Sequence, residues 1–492
     1  MRRRPDPDES AKTPFPMSPV SNGEWMPSGP TEKQRIAEKV VIEEADRIAK
    51  RHSLTRAQFL RTAAGTMLGF SVLNRIHGLD AWGDNAVLPV RREDVEDLDA
   101  ACERLSTKPY FIMDVQTHHV DLNEFNSNVF CFLRFRNDPG DPACVDDVSM
   151  IGQTNYVREM FLDSETHVSV VSGLPSGVPC GPEAMSETAA LVNQLAGSER
   201  CLSQAMIDPA PAPTIPNPNF RTGLDTMAFQ VEELGGRAIK VYSYNGNWRL
   251  DDETIAYPMY EQAVALGIGL INCHKGLPAT FAPGSEESVR TTDIPKAVAD
   301  WPKLNFCAYH SGYFEGANHP EGKDGITEFV EVVESMPKKH RKRVYAEIGS
   351  TFAITVLSDL GDPGPMRAAH FIGQLLKTVG SKNILWGTDS IWWGSPQWLI
   401  DAFKVLQIPA SLQEQFGYPE LKEKDKRRIF GENAARLYKV KKKQRKGLCP
   451  IPEDALTDLQ TARGGPRVNR SLAYYGARTR REFLQRFGST IG

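Results

Sequence analysis

No Cys-x-x-Cys pair occurs among the eight cysteines, no apolar run approaches the ~20 residues that cross a bilayer, and neither sign of charge prevails. The first absence removes the usual redox and structural-zinc spacings. Cys201, Cys273 and Cys307 lie inside apolar runs, so they read as buried thiols rather than a disulfide framework. With 58 basic and 62 acidic residues, the net charge of −4 argues against nucleic acid or an anionic membrane as the main partner. No G-x-G-x-x-G follows a candidate strand, which weighs against dinucleotide binding. What is present is the composition of a globular protein, 40% hydrophobic and 24% charged over 492 residues, with ample chain to bury a large core.

The nearest approach to a membrane segment is "TRAQFLRTAAGTMLGFSVL", residues 55–73. It resembles a degenerate twin-arginine export signal, with Arg56 in place but Ala57 where the second arginine belongs, and a long leader before it. The plainer reading is an amphipathic or core-docking helix. Export would place the protein in the periplasm; otherwise a cytoplasmic location is expected.

Three regions are expected. Residues 1–105 form an N-terminal arm: thirty residues rich in Pro, Ser and charge that read as disordered, then a helix over 31–51 with Thr31 as N-cap and Ile36, Val40 and Ile42 among its apolar positions. Residues 106–440 alternate short apolar runs with helical periodicity. Residues 441–492 form a C-terminal extension; the tail beyond Tyr438 opens on the basic run "KVKKKQRKG", read as a solvated surface, and continues with short helical patterns in "EDALTDLQTARGG" and "RTRREFLQRFG". In the middle region the strand candidates are "YFIMDVQTH", "HVSVVSGL", "RCLSQAMI", "RAIKVYSY", "GIGLINCHKG", "KLNFCAYH", "VYAEIGS" and "ILWGTDS". Near-continuous apolar strands, each followed by a helix, predict an α/β fold, a closed (β/α)8 barrel with an N-terminal helical arm and a C-terminal extension.

In such a barrel the reactive groups gather at the C-terminal strand ends. Those ends supply Gln116 and His118, Lys240, His274 with Lys275, His310, Glu347 and Asp389. Gln116 and His118 share a strand face by alternation, and His119 points away as a structural residue. Imidazoles and a carboxylate meeting at one mouth suit a single divalent metal ion, Zn²⁺ first, with Fe²⁺ or Mn²⁺ as alternatives. A catalytic ion wants about three protein ligands and one open position. All these candidates lie between Gln116 and Asp389, so arm and tail are expected to be dispensable for holding the ion. Trp392, in "SIWWGSPQW", is a candidate wall of the substrate pocket.

The stretches "MDVQTHHVD", "NCHKGLP", "CAYHSG", "LWGTDS" and "RRIFGENAARLY", in this order over roughly residues 108–440, resemble the amidohydrolase superfamily, in particular its group of metal-dependent hydrolases and aromatic acid decarboxylases. The resemblance implies a metal-binding His-x-His on strand one, of which His118 matches the second and Gln116 stands in place of the first. It implies His274 as the fifth-strand ligand, His310 over the substrate, and Asp389 as both ligand and base. Lys240 falls where some relatives use a carboxylated lysine between two metals, and here reads as a contact for a substrate anion. The implied function is a metal-dependent hydrolase acting on a C–N or C–O bond of a small molecule (ester, lactone or amide) through metal-activated water. A metal-dependent decarboxylase of an aromatic carboxylic acid is the alternative, and a barrel that has lost catalysis the second. A small-molecule substrate is expected, without nucleic acid or a transmembrane segment; a homo-oligomer is compatible.

Overall fold

A computed structural model describes residues 13–462 apart from 81, 83–85, 107–108, 121–151, 175–179, 212–221, 280–283 and 360–363, together with 478–479. Among the described residues nine strand segments build the core: β1 Met113–Thr117, β2 Val168–Val171, β3 Cys201–Ser203, β4 Ala205–Met206, β5 Ile239–Val241, β6 Leu270–Gly276, β7 Asn305–Tyr313, β8 Val344–Glu347 and β9 Ile384–Leu385. Every neighbouring pair is parallel. β3 pairs with β2 and β4 with β5, and only Gln204 separates them, so the nine segments fill eight strand positions. The circle closes where Val115 N–H donates to Trp386 O (3.0 Å), Asp389 N–H donates to Gln116 O (2.9 Å), and Thr117 bridges Ser390. This is a closed β/α barrel.

Strand alternation sorts the side chains. Ile239, Val241, Ile271, Cys273, Phe306 and Ala308 pack with the surrounding helices. Ala238, Leu270, Cys307, Tyr309 and Tyr345 form a second cluster of opposite parity. Lys240, Asn272 and His274 share that second parity and therefore enter the barrel. The helices end by the local chemistry expected of them: Pro182–Ala196 starts with Pro at its first turn and stops at Gly197 in the left-handed conformation, φ 60°.

The closing motif "RRIFGENAARLY" acts as a clasp. Asn433 Nδ2 donates to Ser381 O and Ile384 O (2.8 Å each), and Ile429 O accepts from Trp386 N–H. A Cβ on Gly431 would stand 2.4 Å from Phe111 O and 3.1 Å from Met113 N, at the entry to β1. Gly431→Ala is therefore expected to cost about 1–3 kcal/mol, read as a lowered thermal midpoint; an unchanged midpoint would mean that the contact relaxes freely.

The arm departs from expectation. Thr31 caps helix α1 (Glu32–Arg51) through a capping box with Gln34, but the buried stripe is Ala37, Val41, Ala45 and Ile48. Ile36 is instead 48% exposed, because the face spaced by four residues from Ala37 is the one that meets the protein. Residues 13–30 are not disordered: Phe15, Met17, Val20 and Trp25 are buried in the main core, and Phe15 stacks on Trp398 at 5.0 Å. A few large apolar side chains anchor a segment whose average composition is polar. Residues 1–12 lie outside the described residues. The export-like stretch forms two helices, α2 (Arg56–Leu60) and α3 (Ala63–Ile76), with α3 buried against α1. Among the described residues no helix is long and apolar enough to cross a membrane. The basic run forms the exposed helix Lys442–Lys446, and Glu453–Ala462 packs on Gln153–Phe161 through buried Leu456. Most of "RTRREFLQRFG" lies outside the described residues, although Arg478 pairs with Glu38 of α1.

Candidate functional site

Six strand ends meet at one buried mouth. Gln116, His118, Lys240, His274, His310, Glu347 and Asp389 are each 2% exposed or less. His310, Ser311 and Asp389 adopt left-handed backbone conformations, φ 63°, 55° and 57°. Such residues cost on the order of 1–3 kcal/mol each and cluster where a site demands a particular orientation.

The hydrogen bonds determine where protons and lone pairs sit. A carbonyl can only accept, so His118 Nδ1, 2.8 Å from Ser172 O, carries the proton. Its Nε2 lies 3.0 Å from Asp389 Oδ1, where it donates to the carboxylate in the metal-free ring and would give its lone pair to a metal ion taking that proton's place. His274 is arranged likewise: Nε2 donates to Leu277 O (3.1 Å), and Nδ1 faces Glu24 Oε2 at 3.4 Å. Asp389 accepts from Gln116 Nε2 (3.2 Å), Ser350 Oγ and Asn22 Nδ2 (3.0 Å). Since a carboxylate accepts only, the Gln116 amide nitrogen is the atom turned toward it. The same nitrogen lies 3.4 Å from His310 Nε2, which must then be the acceptor, leaving the His310 proton on Nδ1.

Burial pushes the Asp389 carboxyl up, but the hydrogen bond and charge of His118, with His310 and Ser350, outweigh it and hold Asp389 well below the usual carboxylate range. Burial pushes His274 down to about 3, aided by Lys240, and takes His310 well below its ordinary value, aided by His274. Both are neutral rings with a free lone pair or N–H to offer. Burial and the nearby Asp389 charge raise Glu24 to about 7; burial raises Glu347 to about 8 and Asp114 to about 7. Lys240 is lowered by burial and lies between the rings of Tyr309 (4.1 Å) and Tyr242 (4.3 Å).

Four buried atoms here have no hydrogen-bond partner among the described residues: Gln116 Oε1, His274 Nδ1, His310 Nδ1 and Lys240 Nζ. An unmet buried polar atom costs roughly 1–3 kcal/mol, so four in one mouth fit a site built for a cation and an anionic ligand. Two imidazoles, each bonded through one nitrogen to a backbone carbonyl and opening the other toward a carboxylate oxygen, suit a divalent metal ion. Ligand atoms of Glu24, His274 and His310 lie within 4.8 Å of one another.

The family model described as Amidohydrolase matches residues 201–440, the span from β3 to the end of the closing motif that includes Lys240, His274, His310 and Asp389. Over these residues the chain is of the amidohydrolase type. The match starts after β1 and β2, so Gln116 and His118 stand outside it. No curated protein matches the sequence. Solved structures similar to the chain include 5-carboxyvanillate decarboxylase from Sphingomonas paucimobilis (12% identity, 68% of this chain, 100% of that chain, TM-score 0.41). Another is 2,6-dihydroxybenzoate decarboxylase from Rhizobium (14%, 68%, 99%, 0.41). A third is a probable 2-pyrone-4,6-dicarboxylic acid hydrolase from Acinetobacter baumannii (11%, 67%, 99%, 0.41).

The barrel mouth holds residues that the sequence did not mark. Asn22 and Glu24 enter it from the arm, so the candidate groups do not all lie between Gln116 and Asp389. Tyr244 Oη donates to Glu24 Oε1, and Ser350 Oγ reaches Asp389 from the helix that follows β8. The only local trace of the arm's role is a cluster of apolar anchors, Met17, Val20 and Trp25, in a polar stretch. Lys275 turns away from the mouth into an ion pair with Asp293. His119 accepts or donates a hydrogen bond with Thr188 Oγ1 (2.7 Å) behind the site. Trp392 is part-buried, and its ring edge would meet a Cβ on Gly23 at 4.0 Å, which puts it beside the arm.

Proposed function

We propose that this protein is a metal-dependent hydrolase that cleaves an ester, lactone or amide bond in a small substrate carrying an anionic group. The supporting observation is the pair of imidazoles, His118 and His274, each bonded through one nitrogen to a backbone carbonyl and turning the other into the same mouth as the ionised Asp389. His118 Nε2, His274 Nδ1 and Asp389 would hold the ion, Zn²⁺ by donor chemistry, with Fe²⁺ or Mn²⁺ as alternatives. When bound, such an ion supplies Lewis acidity, polarising a carbonyl and acidifying water. Gln116 donates to Asp389 and His310 and so orients both. Asp389, kept ionised, accepts the proton of the attacking water. His310 Nδ1–H, unpartnered and buried, donates to the oxygen on which negative charge develops. Lys240, without a hydrogen-bond partner among the described residues, receives the substrate's carboxylate.

A second reading, decarboxylation of an aromatic carboxylic acid, is favoured by Glu24 and Glu347, whose carboxyls burial raises to about 7 and 8. A protonated acid is what a ring carbon needs when it loses CO₂. Assays of lactones, esters and hydroxybenzoates that read acid release and CO₂ separately distinguish the two reactions.

His310→Ala tests the assignment of roles. The variant is expected to keep wild-type metal content and to lose roughly 10²-fold or more in kcat, because one donor to the developing charge is gone. Loss of the metal itself would make His310 a ligand and overturn its assignment to the substrate.

A further inference from the structure

We infer that the N-terminal arm supplies a ligand to the barrel's metal ion: Glu24, which completes a set of two imidazoles and two carboxylates with His118, His274 and Asp389. The inference rests on the metal reading above and extends it outside the barrel. Glu24 Oε2 stands 3.4 Å from His274 Nδ1, a nitrogen that has no hydrogen-bond partner among the described residues. Because His274 Nε2 donates to Leu277 O, the neutral ring turns a lone pair, not a proton, toward that carboxylate. Lone pair and carboxylate oxygen face each other across the gap a shared cation would fill.

The arm is built to hold Glu24 there. Asn22 Oδ1 accepts from the backbone N–H groups of Glu24 (3.1 Å) and Trp25 (3.0 Å), and Ser21 Oγ donates to Trp25 O (2.6 Å). Gly23, at φ 90°, makes the tight turn between them. Asn22 Nδ2 bridges Glu24 Oε2 (3.2 Å) and Asp389 Oδ2 (3.0 Å), tying the arm's carboxylate to the barrel's. Tyr244 Oη holds the other Glu24 oxygen. Phe15, Met17, Val20 and Trp25 anchor the segment in the core.

The barrel alone leaves a deficit that Glu24 meets. Strand one presents Gln116, a neutral amide whose nitrogen is turned to Asp389, and Glu347 is engaged through both oxygens by the backbone N–H groups of His310 and Gly349, so among the barrel's carboxyls at the mouth Asp389 is the one open to a divalent ion. In a buried site uncompensated charge is costly, and a second carboxylate brings the centre to neutrality.

The test uses full-length, chelator-stripped protein titrated with Zn²⁺, and separately Mn²⁺, against a competing fluorescent chelator. Wild type, Glu24→Gln, Glu24→Asp and His274→Ala are compared, with circular dichroism and thermal midpoint as checks on folding. Glu24→Gln, nearly isosteric, is expected to bind at least tenfold more weakly than wild type, and His274→Ala to bind weakest of the four. If wild type binds, His274→Ala does not, and both Glu24 variants keep wild-type affinity, the arm is not a ligand and the inference fails while the metal reading stands. A rise in kcat in those same variants would identify the arm as a plug over the mouth, which also overturns it. Absence of binding in wild type would sink the metal reading itself and this inference with it.

Discussion

His274→Ala is expected to leave a folded barrel that has lost its divalent ion and turns substrate over roughly 10³-fold more slowly or worse. An active-site ion supplies several kcal/mol of charge stabilisation, and ~4 kcal/mol corresponds to about a thousandfold in rate. His274 is fully buried, bonded through Nε2 to Leu277 O, and packed against the rings of Tyr244 (5.1 Å) and His310 (4.7 Å). Burial and Lys240 hold its imidazole down at about 3, so the lone pair stays available across the working pH range. Metal binding should therefore show no weakening from His274 as pH falls from 8 to 5. The measurements are metal content after dialysis, kcat, and the thermal midpoint. Retained metal with wild-type kcat would remove His274 from the site.

Lys275→Met should be the most destabilising single change of those considered, by about 3–5 kcal/mol, with little direct effect on chemistry. Lys275 Nζ lies 2.6 Å from Asp293 Oδ2 and 2.7 Å from Ser288 O, with both side chains of the ion pair at most 1% exposed. Asp293 Oδ2 also accepts the Leu250 N–H (2.8 Å), so the pair joins β6 to the loop after β5 and to the chain before helix Ile294–Asp300. Removing the ammonium leaves a carboxylate buried without its counter-charge, the costly way to break such a pair. Replacing both partners, Lys275→Met with Asp293→Leu, should recover a large part of the loss because no lone charge is left. Denaturant midpoints of the wild type, both singles and the double measure the coupling directly. A single variant that unfolds at the wild-type midpoint would mean that Asp293 is satisfied by other groups.

These two adjacent residues separate what the sequence by itself determined from what only the tertiary structure decided. The barrel was legible because strand alternation, helix periodicity and the order of strands and helices are local properties of the chain. Strand ends follow from them, and with those ends come His118, His274, His310 and Asp389 at one mouth. Gln116 and His118 could be placed on one face by geometry alone, and both in fact reach the same oxygen, Asp389 Oδ1. Alternation along the strand turns Lys275 away from His274, but its partner was not legible, since Asp293 is a loop residue that no periodicity marks. Proton positions on the three histidines were equally hidden, because each depends on a carbonyl or amide brought close by folding. The arm was misread for a physical reason: composition averages over thirty residues, whereas four anchored side chains suffice to seat a segment. Glu24 meets Tyr244 across 220 residues and Asn22 meets Asp389 across 367, and contacts at such separations leave no local pattern in the chain. They exist only once the barrel has closed and made a mouth for the arm to enter.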